Sequence, residues 1–177
     1  MCSMGRCRML VRKKCNGFTM LELMITIAVL GILVALAAPL YRTMLERQKI
    51  RSVLNEWKSS FQFAQTEALR LKDGVVLCAA APEEKKCSGT NDFSNGWLVV
   101  HETVNSGAPE ILQDNPLVDK RVSVVLSGSL VGITEGKLKF FGNGRLDINA
   151  GGSLSVKLKD QELKLIISSG GRLREGV

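Results

Sequence analysis

This chain has a single histidine among its 177 residues, and aromatic residues make up only 5% of it. No Ser/His/Asp or Cys/His arrangement is evident around His101, and no Cys/His set has the spacing of zinc ligands. No glycine-rich phosphate loop leads from a strand into a helix, and Gly142-Asn143-Gly144 reads as a turn. Cys-x-x-Cys is absent, so a redox-active pair has no support. These absences argue against an enzyme, and nothing implies a metal or a cofactor. His101 reads as a strand residue rather than a base. Glu83, Glu84, Lys85 and Lys86 read as a solvated loop.

Acidic residues are missing from one place. Residues 1–17 hold Arg6, Arg8, Arg12, Lys13 and Lys14 and no acid. The formal charge of +7 therefore belongs largely to the tip, and without it the chain is close to +2, with 19 basic and 17 acidic residues. The overall basicity does not by itself point to nucleic acid, so any such argument must rest on local placement.

Charge is missing again from Leu23 to Leu40, a run of 18 residues. With Phe18–Glu22 and Tyr41 the apolar stretch grows to 24 residues, in which Glu22 is the one charge. About 20 apolar residues span the hydrocarbon core of a bilayer. The basic tip should stay in the cytoplasm, which puts the bulk of the chain outside it. A secretory signal peptide is the rival reading, with "ALAAP" at 35–39 as its cleavage site. Its apolar core would be only ~7–15 residues, however.

From Arg42 onward the chain reads as more helix. Ile50, Val53, Leu54, Trp57, Phe61, Ala64, Ala68 and Leu71 fall on one face. Arg47, Lys49, Arg51, Glu56, Lys58, Gln62, Gln65 and Glu67 fall on the other. The pattern predicts a helix from about Phe18 to Leu71, roughly 80 Å long. Pro39 should kink it, because proline lacks the N–H and crowds the preceding turn. "KDG" at 72–74 should stop it.

After Asp73 the pattern changes to short strands. The candidates are 75–81, 96–103, 121–127, 136–142, 152–159 and 162–168. The last two alternate and are separated by Asp160-Gln161, which predicts an antiparallel hairpin. Glycine-rich turns at 142–144 and 150–152 punctuate the sheet. A long helix laid on antiparallel strands is an α+β fold, one layer on another. Residues 103–120 have no clear assignment and read as a candidate mobile loop.

The leader ending in Gly17, followed by "FTMLELMITIAVLGILVALAAPLY", resembles a type IV pilin or type II secretion pseudopilin precursor. That resemblance implies four parts: a leader at 1–17, a transmembrane and assembly helix at 18–41, its amphipathic half at 42–74, and an exported β-rich domain at 75–177. It implies cleavage between Gly17 and Phe18 by the prepilin peptidase and N-methylation of Phe18. Glu22 and Pro39 match the glutamate at mature position 5 and the proline at mature position 22. The physics agrees: a carboxylate in lipid is costly and seeks a partner. Glu22 of one subunit can meet the Phe18 amine of a neighbour, which favours assembly and sets register. The plainer reading is that Glu22 sits at headgroup level. The implied location is the bacterial inner membrane, as a single-pass protein with a periplasmic domain, and then the pilus fibre. The implied partners are other major and minor pilins, the peptidase and membrane lipid.

"NGWLVV" (95–100), "FFGNGRLD" (140–147) and "LIISSGGRLREG" (165–176) narrow the resemblance to the GspH/FimT group of minor pilins and pseudopilins. Cys78 and Cys87 would then lie where disulfides persist, and a bridge between them would close a small loop. Two reduced thiols are the alternative. Cys2, Cys7 and Cys15 should leave with the leader.

Arg172 and Arg174 are two apart, so in an extended segment they share one side. Their spacing, roughly 6–7 Å at strand rise, is near that of phosphates along one DNA strand. Guanidinium offers a planar fork of donors to phosphate oxygens. Lys157, Lys159 and Lys164 could extend a basic strip. On spacing alone the signal is weak, since two arginines at a solvated end usually just solubilise. Some FimT-type minor pilins of natural transformation carry a Gly-Arg-x-Arg motif that contacts DNA. Gly171, Arg172, Leu173 and Arg174 match it. The resemblance therefore implies a minor type IV pilin that binds extracellular double-stranded DNA for uptake. The alternative is a structural minor pilin or type II secretion pseudopilin that primes the fibre without binding DNA.

Overall fold

A computed structural model describes residues 18–102, 109–117, 119–127, 136–147, 151–168 and 170–176, with the side chains of 38–40 excepted. Gly17, the leader cysteines and the Pro39 side chain lie outside the described residues. The chain divides into two units, Met1–Arg42 and Thr43–Val177.

Helix α1 runs over Met20–Leu71. Thr19 caps it: its Oγ1 accepts the N–H of Glu22 at 3.2 Å, and its carbonyl accepts that of Leu23 at 3.1 Å. A Thr-x-x-Glu start of this kind satisfies orphan N–H groups of the first turn. The helix therefore begins two residues inside the expected start at Phe18. Glu22 lies in its first turn, where the aligned peptide dipoles favour an anion. Within the first unit, Met20–Ala37 is long and apolar enough to cross a membrane, and none of it is buried in the protein.

In the second unit the helix buries one stripe: Ile50, Leu54, Trp57, Phe61, Ala64 and Ala68. Val53 and Leu71 pack half-buried at its margins. The strands that receive this stripe are β1 (Val75–Ala81), β2 (Glu84–Cys87), β3 (Gly96–His101), β4 (Glu110–Pro116), β5 (Ser123–Ser127), β6 (Lys137–Phe140), β7 (Gly152–Leu158), β8 (Gln161–Ile167) and β9 (Leu173–Gly176). They form two antiparallel sheets rather than one. The first has the order β2-β1-β3-β4 with β6 also paired to β1, and the second has the order β5-β7-β8-β9. The inward side chains of both sheets join the helix stripe in one core. They include Leu77, Val99, Leu138, Val124, Val156 and Leu165. Every buried hydrophobic side chain among the described residues belongs to the second unit, so residues 43–177 carry a complete core.

Two expectations are corrected. Glu84–Cys87 is a strand rather than a solvated loop: Ala81 pairs with Glu84 and Ala80 with Cys87 across a tight turn. Within 103–120, residues Glu110–Pro116 form β4 along the full length of β3. Its polar run, Gln113-Asp114-Asn115, gave no apolar alternation to read. Positions 103–108 and 118 lie outside the described residues.

The short stretches that carried the resemblance have visible work in this fold. At Gly96 the backbone has φ +104°, and a Cβ would sit 2.3 Å from the carbonyl oxygen of Asn115; only glycine fits there. Buried Trp97 donates from Nε1 to Ser60 Oγ at 2.9 Å, and Asn115 Nδ2 donates to the same oxygen at 3.1 Å. Phe140 meets Phe61 edge-on at 4.9 Å. The Gly142–Gly144 stretch turns the chain, with Gly144 N–H on the Phe141 carbonyl.

Candidate nucleic-acid interface

The end of the chain is a hairpin of β8 and β9. Ser168 N–H donates to the Arg172 carbonyl at 3.0 Å, and Gly171 N–H donates to the Ser168 carbonyl at 2.9 Å. Ser168 Oγ also accepts the Arg172 N–H at 3.2 Å. Gly171 has φ +74°, a left-handed conformation that this closure requires and that glycine adopts freely. The glycine of the motif is thus a turn residue that delivers Arg172 to the start of β9.

Register decides where each side chain faces. Leu173 pairs with buried Ile167, and Arg174 pairs with exposed Ile166. Arg174 therefore lies on the outward face of the second sheet, with Arg172 two residues before it. Both arginines are exposed, and neither has an ion pair among the described residues. Their neighbour Glu175 faces the other way, where its Oε1 accepts Lys58 Nζ at 2.6 Å. That hydrogen bond, with the lysine charge, holds the Glu175 carboxyl below its usual range. The acid next to the motif is thus occupied on the helix side, and the two cations are left to solvent.

The three lysines of the expected strip are not equivalent. Lys157 and Lys164 share the outward face, since Lys157 stands opposite Glu162 and Lys164 opposite Ser155. Both are tied to Glu162, at 3.3 and 3.6 Å. Lys159 sits in the β7–β8 turn with φ 53° and pairs with Glu46 of the helix. It does not join the strip. Alternation carried Lys159 into the strand at 152–159, but the strand ends at Leu158, and neither the turn nor the Glu46 partner was legible from periodicity. The Lys157–Glu162 pair exists only across the hairpin, so no local pattern points to it, whereas Lys164 stands two residues from Glu162 on its own strand.

The other expected positions fall elsewhere. Phe18 is exposed and Glu22 takes part in the Thr19 cap. Cys78 and Cys87 form a disulfide with Cα atoms 5.6 Å apart, tying β2 onto β1. His101 closes β3, with Nε2 3.1 Å from Asp73 Oδ2.

Two family descriptions match the chain. Residues 12–38 match the prokaryotic N-terminal methylation motif, and residues 54–171, more than half of the chain, match Type II transport protein GspH. The chain belongs to the GspH family. Its relatives include a probable minor fimbrial protein of Dichelobacter nodosus, 26% identical over 71% of this chain and 79% of the relative. A fimbrial protein of Moraxella nonliquefaciens is 30% identical over 57% of this chain and 56% of its own length. Among solved structures, the type IV minor pilin FimU of Pseudomonas aeruginosa superposes with a TM-score of 0.55. It covers 75% of this chain and 91% of the FimU chain at 20% identity, which is a likeness of fold. This GspH-family chain is thus of the minor type IV pilin and pseudopilin kind, with its helix packed on antiparallel sheets. The single apolar N-terminal helix and the fimbrial relatives fit a membrane-anchored pilus component.

Proposed function

We propose that this chain is a minor type IV pilin whose Arg172 and Arg174 hold extracellular double-stranded DNA during uptake. In this reading the precursor is cut after Gly17 and methylated on Phe18. The mature subunit waits in the inner membrane and enters the fibre with other major and minor pilins through Glu22. The observation that carries the DNA role is the division of labour in the last strand. Leu173 packs against the core, Gly171 makes the turn and Glu175 is held by Lys58, while the two arginines have no structural partner among the described residues. Cations on one side of a strand contact phosphates without reading bases.

The test uses residues 43–177 and mixed-sequence double-stranded DNA over a range of salt. Wild type should bind, and its affinity should fall linearly with salt on logarithmic axes. Arg172→Ala/Arg174→Ala should abolish binding at moderate salt, and each single change should lower the slope by about one. Binding that survives the double change would move the site. No binding at low salt would favour the second reading, a structural subunit or type II secretion pseudopilin that primes assembly. That reading draws on the same Glu22 and on the family membership itself.

A further inference from the structure

The outward face of β7, β8 and β9 presents four cations and one carboxylate. Ser153, Ser155 and Lys157 face outward on β7, Glu162, Lys164 and Ile166 on β8, and Arg174 on β9, with Arg172 just before it. Glu162 is central to this set. One of its oxygens takes Lys157 Nζ from the facing strand, and the other takes Lys164 Nζ from two residues along its own. Partial burial works against the Glu162 charge. The hydrogen bond and charge of Lys157, then the charge of Lys164, outweigh that and hold the carboxyl below its ordinary range, and Ser155 adds a further hydrogen bond. The carboxylate is therefore ionised at neutral pH. The two arginines lie outside its pairs, and Arg174 is a diagonal cross-strand neighbour of Lys164, on the order of 7–8 Å away.

Resting on the proposed DNA role, we infer that Glu162 withholds Lys157 and Lys164 from a polyanion, so that the native footprint is the two arginines. Replacing its charge widens the footprint across the sheet to β7. Each ammonium already has an anion beside it, so a DNA phosphate must compete with Glu162 for it and must also approach a like charge. Neither penalty applies at Arg172 or Arg174. The pairs are accessible, with side-chain exposures of 55% for Lys157, 53% for Lys164 and 34% for Glu162, so the competition takes place in solvent rather than in a sealed core. The serine hydroxyls beside the lysines give the widened footprint further donors to phosphate oxygens.

The test compares residues 43–177, which carry a complete core and lack the basic leader, with their Glu162→Gln variant, using a short mixed-sequence DNA duplex at several salt concentrations. Each neutralised phosphate adds about 0.9 to the logarithmic salt slope. Wild type should show a slope near −2, and Glu162→Gln one moving towards about −4, with roughly tenfold tighter binding at low salt. Adding Lys157→Gln/Lys164→Gln to Glu162→Gln should return slope and affinity to wild type. The same two lysine changes made alone should alter wild-type binding little. If Glu162→Gln binds as wild type does, or wild type already has a slope near −4, the inference falls while DNA binding stands. If neither protein binds at low salt, the DNA reading falls and takes the inference with it. Thermal melts of all variants report whether any loss is one of folding.

Discussion

The two sheets of the second unit are made differently. β1 and β3 of the first sheet are buried on both faces, apart from half-buried Ala81. Their inward residues join the helix core, while Val76, Cys78, Ala80, Leu98 and Val100 form a second apolar cluster on the far side. β7 of the second sheet is fully buried only at every other residue, with Ser153, Ser155 and Lys157 facing outward. The sequence carries the same contrast, since "VVLCAAA" and "GWLVVH" are continuous apolar runs and "GSLSVKL" alternates. Strands covered on both faces, as β1 and β3 are, have no surface to offer. A sheet covered on one face leaves its other face open to a ligand, and that is where the arginines lie.

The contrast breaks most sharply at Trp97. Trp97→Ala should destabilise residues 43–177 by about 3–5 kcal/mol, read as a lower urea midpoint. The ring leaves a cavity, and Ser60 and Asn115 lose the indole at the centre of their buried network. An effect below about 1 kcal/mol would mean that the first sheet is not the structural one.

The disulfide comes next, because it fastens the short edge strand β2 onto β1 of the first sheet. Cys78→Ala/Cys87→Ala should lower stability by about 2–3 kcal/mol, the chain-entropy value for a loop of this length. Loss of protease resistance should begin at β2, whose exposed Glu84, Lys85 and Lys86 contribute little burial of their own. Uniform loss across both sheets would mean that the bridge serves the whole domain.

Much of this was legible in the chain. The helix stripe from Ile50 to Ala68 and the β7–β8 alternation follow directly from side-chain period. What escaped has a common physical cause. β2, β4 and β9 are short or polar, and their partners supply the reason they are strands: a disulfide for β2, the buried β3 for β4, and a glycine-closed hairpin for β9. The candidate site divides the same way. The arginines were legible as a spacing and Gly171 as part of a motif, but not as the turn it forms. The occupation of Lys159 by Glu46, and of Lys157 by Glu162, depends on register and distance, which no local pattern records.

Acid should loosen the edge of the first sheet more gently. Asp73 accepts the Gly74 N–H at 2.7 Å and then His101 Nε2 at 3.1 Å, and these hold its carboxyl below the ordinary value of 3.8. A depressed folded value means stability that is present above the ordinary pKa and is lost as pH falls through the folded one. Asp73→Asn should therefore flatten the stability profile below about pH 4, and should leave the neutral range less affected than the loss of Trp97 does. An unchanged acid limb would mean that other lowered carboxylates, such as Asp119 beside Arg121 and Lys49, carry it.

The smallest change in stability should come from the face argued to matter most for binding. Arg172→Ala/Arg174→Ala removes two exposed side chains with no ion pair among the described residues, from a strand whose backbone bonds and Leu173 contact remain. Surface changes of this kind usually stay within about 0.5 kcal/mol. The thermal midpoint of residues 43–177 should barely move. If stability fell by more than about 1 kcal/mol, the arginines would have a structural task in the hairpin, and lost DNA binding could follow from a frayed β9. If stability holds and binding goes, the second sheet's outward face is a surface that the fold does not need, set on a core that the helix and the inward faces of both sheets secure.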